Sequence, residues 1–318
     1  MGSGGLRVLL ESLMSGEIER IPALPDEIVE AVNRDKLAVF IGAGVSRLVG
    51  CLGWDDLGRN LIERCFSEGV IIHREKESLA GMKDSRKVLT ICHDLLKEKG
   101  IENVFFEEMR KALKDGQEVT VPNIYDDIYR LRGLFVTTNV DRHFHRKFNL
   151  PNIIYRIEEL RADNIDRVNL YHLHGCISQP ETVVFTLRSY FKRYRDTESF
   201  RAFLKTIFSK YTILFLGYGL AEFELLEYLF EQSDVPDAHE VKHFMLQAFN
   251  SGEERILGFE QIYYGQMGIQ VKAYRKNEKG YEQLADVVKE WSTRIIQLSN
   301  YLHETFEEID RLIEDRPE

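Results

Sequence analysis

A chain of 318 residues, 44% hydrophobic and 30% charged, has the balance of an ordinary soluble globular protein and can bury one large core or two modest ones. A formal net charge of −10 argues against a broad nucleic-acid or anionic-membrane footprint. No apolar run is long enough to span a bilayer, no leader pattern stands at the start, and Cys51, Cys65, Cys92 and Cys176 form no C-x-x-C pair, so neither a zinc ribbon nor a redox pair is written. Scattered thiols of this kind suit a reducing cytosol.

In chain order, Ile18–Arg34 reads as an opening helix started by Pro25 and Asp26. Leu37–Ile41 is a continuous apolar run, the mark of a buried parallel strand, and Gly42 and Gly44 follow at once. Asp55 caps a helix to about Glu68. The chain then stays helical to Gly116, with one apolar stripe at Val88, Ile91, Cys92 and Leu95 and another at Phe105, Phe106, Met109 and Leu113. Pro122 opens a helix closed by Gly133, and Leu134–Thr137 is a strand. Short strands are expected at Ile153–Tyr155, Val168–Leu173 and Val183–Thr186, then a helix at Glu198–Ser209 and a strand at Tyr211–Leu216. A helix at Leu220–Phe230, a strand at Lys242–Gln247, a helix at Glu253–Met267 and a strand at Ile269–Tyr274 come next. Two helices, Tyr281–Leu298 and Tyr301–Glu314, finish the chain. Strands alternating with helices predict an α/β, Rossmann-like, mostly parallel sheet with helices on both faces and a helical insertion. The expected division is a nucleotide-binding domain over 18–53 and 120–280, the insertion over 54–119, and C-terminal helices over 281–318.

Four strand tips carry the polar chemistry: Gly42-Ala43-Gly44-Val45-Ser46, Thr138-Asn139-Val140-Asp141, His174-Gly175 and Gly217-Tyr218-Gly219. A parallel sheet brings such tips to one edge, where α/β folds bind ligands. Glycines directly after a strand let the backbone turn sharply and approach a ligand, and a following helix N-terminus favours an anion. The dinucleotide fingerprint G-x-G-x-x-G is incomplete, because Arg47 stands where its third glycine would be. Taken singly, Asn139 and Asp141 read as cap or turn residues and His174 as a structural histidine; the four tips together read as one site.

The ordered set GAGVS, TTNVD, LHG and FLGYG resembles the sirtuin family, and most closely the sirtuin-like NAD-cleaving domains of bacterial anti-phage defence, over about Asp35–Tyr274. The resemblance implies that Gly42, Ala43, Gly44 and Ser46 hold the NAD pyrophosphate. It implies Asn139, with Thr138 beside it, at the nicotinamide ribose, Asp141 at the carboxamide, His174 as the catalytic histidine, and Gly217, Tyr218 and Gly219 along the adenosine. Cleavage of the nicotinamide–ribose bond passes through an oxocarbenium-like state, and the leaving nicotinamide is already cationic. The chemistry therefore needs a polar group to fix the ribose, which suits Asn139, and a base for a hydroxyl or water, which suits His174. His172, two residues back within the strand, is the rival and is expected to be packed, whereas Asn139 and His174 are expected at exposed strand tips where neither contributes much to packing.

Two departures from protein-deacylating sirtuins matter. Their paired C-x-x-C zinc ligands are missing, so no zinc is expected, and their Asp-Phe-Arg segment is replaced by Leu48-Val49-Gly50-Cys51-Leu52-Gly53-Trp54-Asp55-Asp56-Leu57. Both favour NAD hydrolysis over deacylation; an NAD-binding, filament- or ring-forming scaffold is the third reading. The resemblance further implies a cytoplasmic homo-oligomer in abortive infection, gated by assembly or by a partner such as an ATPase or phage-sensing subunit, without direct nucleic-acid or membrane binding.

Overall fold

The computed structural model describes residues 17–195, 198–219 and 243–314 of the protein. Among the described residues, seven strands form one sheet: β1 (Leu37–Ile41), β2 (Leu134–Thr137), β3 (Ile153–Ile154), β4 (Leu170–His172), β5 (Thr212–Leu216), β6 (His243–Phe249) and β7 (Ile269–Arg275). Their order is β3-β4-β2-β1-β5-β6-β7 and every pairing is parallel. All five residues of β1 are buried, because a central parallel strand is covered on both faces.

Alternation along β1 divides its side chains between two cores. Ala38 and Phe40 join Val136, Ile213 and Phe215 beneath the helix Glu198–Lys210 and the helix Glu254–Gly265. Leu37, Val39 and Ile41 join Phe135, Leu214 and Phe244 beneath the helices Asp26–Asn33, Ile124–Arg130 and Gln283–Glu314. Burying the Trp291 ring there leaves its indole N–H to be satisfied, and it donates to Pro22 O at 2.8 Å.

The helices Trp54–Ser67, His73–Ala80, Ser85–Glu98 and Glu102–Ala112 form a third core, centred on Leu61, Cys92, Phe105 and Met109. Val140, Ile177, Val183 and Phe185, from the segments beyond β2 and β4, complete it. The helical stretch between β1 and β2 thus docks directly on the segments that carry the candidate site.

Several elements differ from the sequence expectation. Val183–Thr186 is not a strand: it follows a single 3-10 turn, Pro180–Thr182, and Val183 and Phe185 pack on the third core. It leads into a helix, Leu187–Arg195, that the sequence reading missed. The two C-terminal helices are one helix of 32 residues, since no glycine or proline interrupts Ser299-Asn300. The opening helix starts only at Asp26, because Pro22 and Pro25 hold the preceding segment extended. The expected helix Leu220–Phe230 lies outside the described residues.

Topology fixes where a ligand can bind. After β1 the chain builds β2, β3 and β4 on one side, then crosses to β5 on the other. The strand order reverses between β1 and β5, and the crevice beyond their carboxyl ends is where open α/β sheets place ligands.

Candidate active site

The tips of β1 and β5 are stitched together by backbone. Gly42 N–H donates to Leu216 O and Gly44 N–H to Gly217 O, each at 2.8 Å. A Cβ on Gly44 would lie 2.8 Å from both Gly217 Cα and Gly217 O, and one on Gly42 would lie 2.8 Å from Gly217 O. Gly217 has φ +67°, and a Cβ there would stand 2.5 Å from Val45 N. These glycines are therefore required by the approach of two strand tips, whatever ligand they also serve. The N–H groups of Gly42 and Gly44 are spent on that approach. Gly217→Ala is expected to lower stability by about 2–4 kcal/mol, combining left-handed backbone strain with the clash. Urea unfolding would measure it, and a change under about 0.5 kcal/mol would contradict the close packing.

The β2 tip leans on the same loop. Asn139 Nδ2 donates to Gly42 O at 2.9 Å, and Asn139 N–H donates to Thr137 Oγ1 at 3.0 Å. Ser46 Oγ donates to Asp141 Oδ2 at 2.5 Å, and His143 N–H donates to Asp141 Oδ1 at 3.0 Å. The Tyr125 hydroxyl lies 3.1 Å from Ser46 Oγ. A carboxylate only accepts, so the Ser46 proton points to Asp141 and Tyr125 donates to Ser46. Burial, then the Asp141 charge, hold the Tyr125 phenol well above its ordinary pKa, so it stays a donor. Ser46, expected at the pyrophosphate, and Asp141, expected at the carboxamide, are thus one hydrogen-bonded unit. Tyr125 was missed by sequence reading, and no sequence signal separates it from the packed positions around it.

The β4 tip carries the two histidines. His172 is 1% exposed. Its Nδ1–H donates to Asn139 O at 2.8 Å, and its Nε2 sits 2.9 Å from His145 Nε2, which must then be the donor. Burial lowers the pKa of both rings, that of His145 to about 3. His174 lies beside Tyr190, with ring centroids 5.1 Å apart and nearly perpendicular, and its Nε2 is 2.7 Å from the Tyr194 hydroxyl. Burial, then Arg193 and Arg86, lower its pKa to about 3 against a backbone hydrogen bond to Thr138. The ring is neutral at physiological pH, the state a general base requires.

The sequence reading expected Asn139 and His174 to contribute little to packing at exposed tips. The structure corrects that: Asn139 is 9% exposed and His174 is 6% exposed, each enclosed by neighbours from other elements. The Tyr218 hydroxyl stands 3.3 Å from Thr138 Oγ1, which ties the β5 tip to the β2 tip.

A cavity of about 1510 Å³ opens over these tips. Its walls include Ala43, Gly44, His174, Tyr218 and Gly219, and they carry charge of both signs, with Arg47, Arg59, Lys83, Arg86 and Lys87 beside Asp55, Asp56, Asp84 and Glu260. Small-molecule pockets commonly occupy roughly 300–1,000 Å³, so the space suffices for a dinucleotide. Ser46, Thr138, Asn139 and Asp141 are not among these walls and support the loop behind them. Among the described residues no helix is long and apolar enough to cross a membrane, and no cluster of three or more histidine, cysteine or acidic side chains is arranged to hold a metal ion.

A comparison with protein-family models matches residues 133–271 to one described as a SIR2-like domain. No curated protein matches the chain. The matched span runs from the start of β2 into β7 and holds Asn139, Asp141, His174 and Gly217–Gly219, while the glycine loop after β1 lies outside it. Over residues 133–271 the chain is similar to a SIR2-like domain.

Proposed function

We propose that this chain is an NAD hydrolase that cleaves the nicotinamide–ribose bond to give nicotinamide and ADP-ribose. One observation carries the reading: His174 faces the same cavity as Ala43, Gly44 and Gly219, while Asn139 is hydrogen-bonded to the loop that forms its floor. In this reading the dinucleotide lies across the β1 and β5 tips, with its phosphates near Arg47 and Arg86 and its nicotinamide ribose toward His174. Asn139 holds in place the Gly42 loop against which the ribose lies, and His174 takes a proton from a ribose hydroxyl or from water. The C1′–N bond breaks with its electron pair leaving on nicotinamide, the water oxygen bonds to C1′, one water proton stays on the new C1′ hydroxyl, and the other passes to base or solvent.

The resemblance to anti-phage sirtuin-like domains supports a wider setting: cytoplasmic NAD depletion during abortive infection, held in check by homo-oligomer assembly or a partner protein. Chromatography of NAD incubated with the protein over a range of concentrations tests the core of the proposal. Nicotinamide and ADP-ribose are expected in equal amounts, above a His174→Ala control. If no concentration or assembly state releases nicotinamide above that control, an NAD-binding scaffold stands instead. Release that requires an acylated peptide would make the protein a deacylase.

A further inference from the structure

His174 is engaged on both sides of its ring. The Thr138 backbone hydrogen-bonds it on one side, and the Tyr194 hydroxyl lies 2.7 Å from Nε2 on the other. A carbonyl only accepts, so the ring N–H points to Thr138 and Nε2 accepts from the Tyr194 O–H. That arrangement satisfies a buried neutral imidazole, but it leaves no ring nitrogen for a ribose hydroxyl or a water.

One of the two contacts must break before His174 can act. Thr138 belongs to the β2 tip, whose N–H is tied to Ile41 O across the sheet. Tyr194 belongs to the helix Leu187–Arg195, which lies outside the sheet. Its first turn is clamped, because Ser189 N–H donates to Thr186 Oγ1 and Thr186 N–H donates to Ser189 Oγ. Its last turn carries Tyr194 and Arg193. Arg193 is 6% exposed; Nη2 donates to Thr182 O at 3.2 Å, and Nη1 is buried without a hydrogen-bond partner. A buried guanidinium nitrogen left unpaired is unfavourable, so a shift that admits water there gains a hydrogen bond. Tyr190, one turn earlier, lines the cavity and lies 4.8 Å beneath the Arg86 guanidinium of the helical insertion. Tyr194 is not among the cavity walls, which disfavours a relay of the substrate proton through its hydroxyl.

We propose that Tyr194 is a latch: its hydroxyl occupies the accepting nitrogen of His174, and the end of the helix Leu187–Arg195 must move away before the histidine can meet substrate. The contact of Arg86 with Tyr190 couples that helix to the insertion, so an event on the insertion surface can bias the latch. The inference rests on the proposed role of His174 as base.

Two readouts on Tyr194→Phe and Tyr194→Ala separate the latch from the hydrolase reading. The first is the rate at which diethyl pyrocarbonate modifies His174, followed by peptide mass spectrometry in the absence of NAD. The second is nicotinamide release by dilute protein. Removing one hydrogen bond from Nε2 is expected to speed His174 modification by about tenfold and to raise nicotinamide release severalfold. His172 and His243, both buried, are internal controls, and their modification rates should match the wild type. If their rates rise in Tyr194→Ala, that variant has unfolded and Tyr194→Phe decides. Unchanged His174 modification in the folded variants would overturn the latch. So would nicotinamide release falling as far as in His174→Ala, which would make Tyr194 a positioning residue. Faster modification with no nicotinamide release from any form would keep the latch and remove the hydrolase reading.

Discussion

Asn139→Ala and His174→Ala are each expected to lower nicotinamide release by about a hundredfold or more, the scale for losing a positioned polar or acid–base group. Their burial means that neither variant will be silent in stability. Asn139→Ala removes the bond to Gly42 O, but that carbonyl keeps Val45 N–H as a donor, so a loss of about 1 kcal/mol is expected. His174→Ala empties the space beside Tyr190 and leaves the Tyr194 hydroxyl without its acceptor, for about 2–3 kcal/mol. His172→Ala should show the reverse profile. It strands both Asn139 O and His145 Nε2 inside the sheet edge, for about 2–4 kcal/mol, while activity per folded molecule persists. Initial rates corrected for the folded fraction, with thermal melts on the three variants, separate these outcomes. An inactive but normally stable His172→Ala, paired with an active His174→Ala, would move the base two positions back along the strand.

The contrast between these histidines was legible in the sequence because strand position alone distinguishes them. His172 falls inside an apolar run and His174 before a glycine. The central strands were legible for the same reason: Leu37–Ile41 and Leu134–Thr137 are covered on both faces and read as unbroken apolar runs. Val183–Thr186 shows where that signal misleads. Val183 and Phe185 bury against helices rather than in the sheet, and four positions cannot tell one kind of burial from the other. The helix Leu187–Arg195 was missed because Arg188, Lys192, Arg193 and Arg195 dilute its pattern, and its packing rests on Tyr190 and Tyr194, which meet His174 and Phe200. The tip motifs could be listed, but not joined. Ser46 meets Asp141 across 95 positions and Asn139 meets Gly42 across 97, and only the strand order β2-β1-β5 brings those distances to zero. Exposure was misjudged at Asn139 and His174 because a strand tip is open only until the insertion and the missed helix close over it.

Unfolding is expected to become markedly easier as pH falls below about 6.5, the ordinary histidine value. His145 and His174 are held at about 3 and His243 at about 4, chiefly by burial, and His172 is lowered for the same reason. Three of these rings use a nitrogen as an acceptor: His243 Nδ1 from Ile213 N–H at 3.2 Å, His174 Nε2 from Tyr194, and His172 Nε2 from His145. Protonation there would turn an acceptor into a donor facing a donor. The sign follows. Each folded pKa lies below its unfolded value, so the stability is fully present above about 6.5 and is lost as pH falls toward 3–4, where the unfolded chain holds protons that the fold refuses. The slope is about 1.4 kcal/mol per pH unit for each ring, or about 2 kcal/mol each by pH 5. The three rings with assigned values then sum to about 6 kcal/mol, comparable to the whole stability of many domains. Asp126, held below the usual carboxylate range by Arg146, adds its own loss only at lower pH, so the histidines govern the window between about 6.5 and 4.5. Urea melts at pH 7.5 and pH 5.0 measure the loss, and a midpoint that does not move would show these rings to be hydrated. His243→Leu, remote from the strand tips, should remove one ring's share of the pH slope and leave nicotinamide release per folded molecule as it was. Because His174 itself stays neutral throughout this window, a fall in activity between pH 7 and pH 5 should track the folded fraction and show no separate titration of the base.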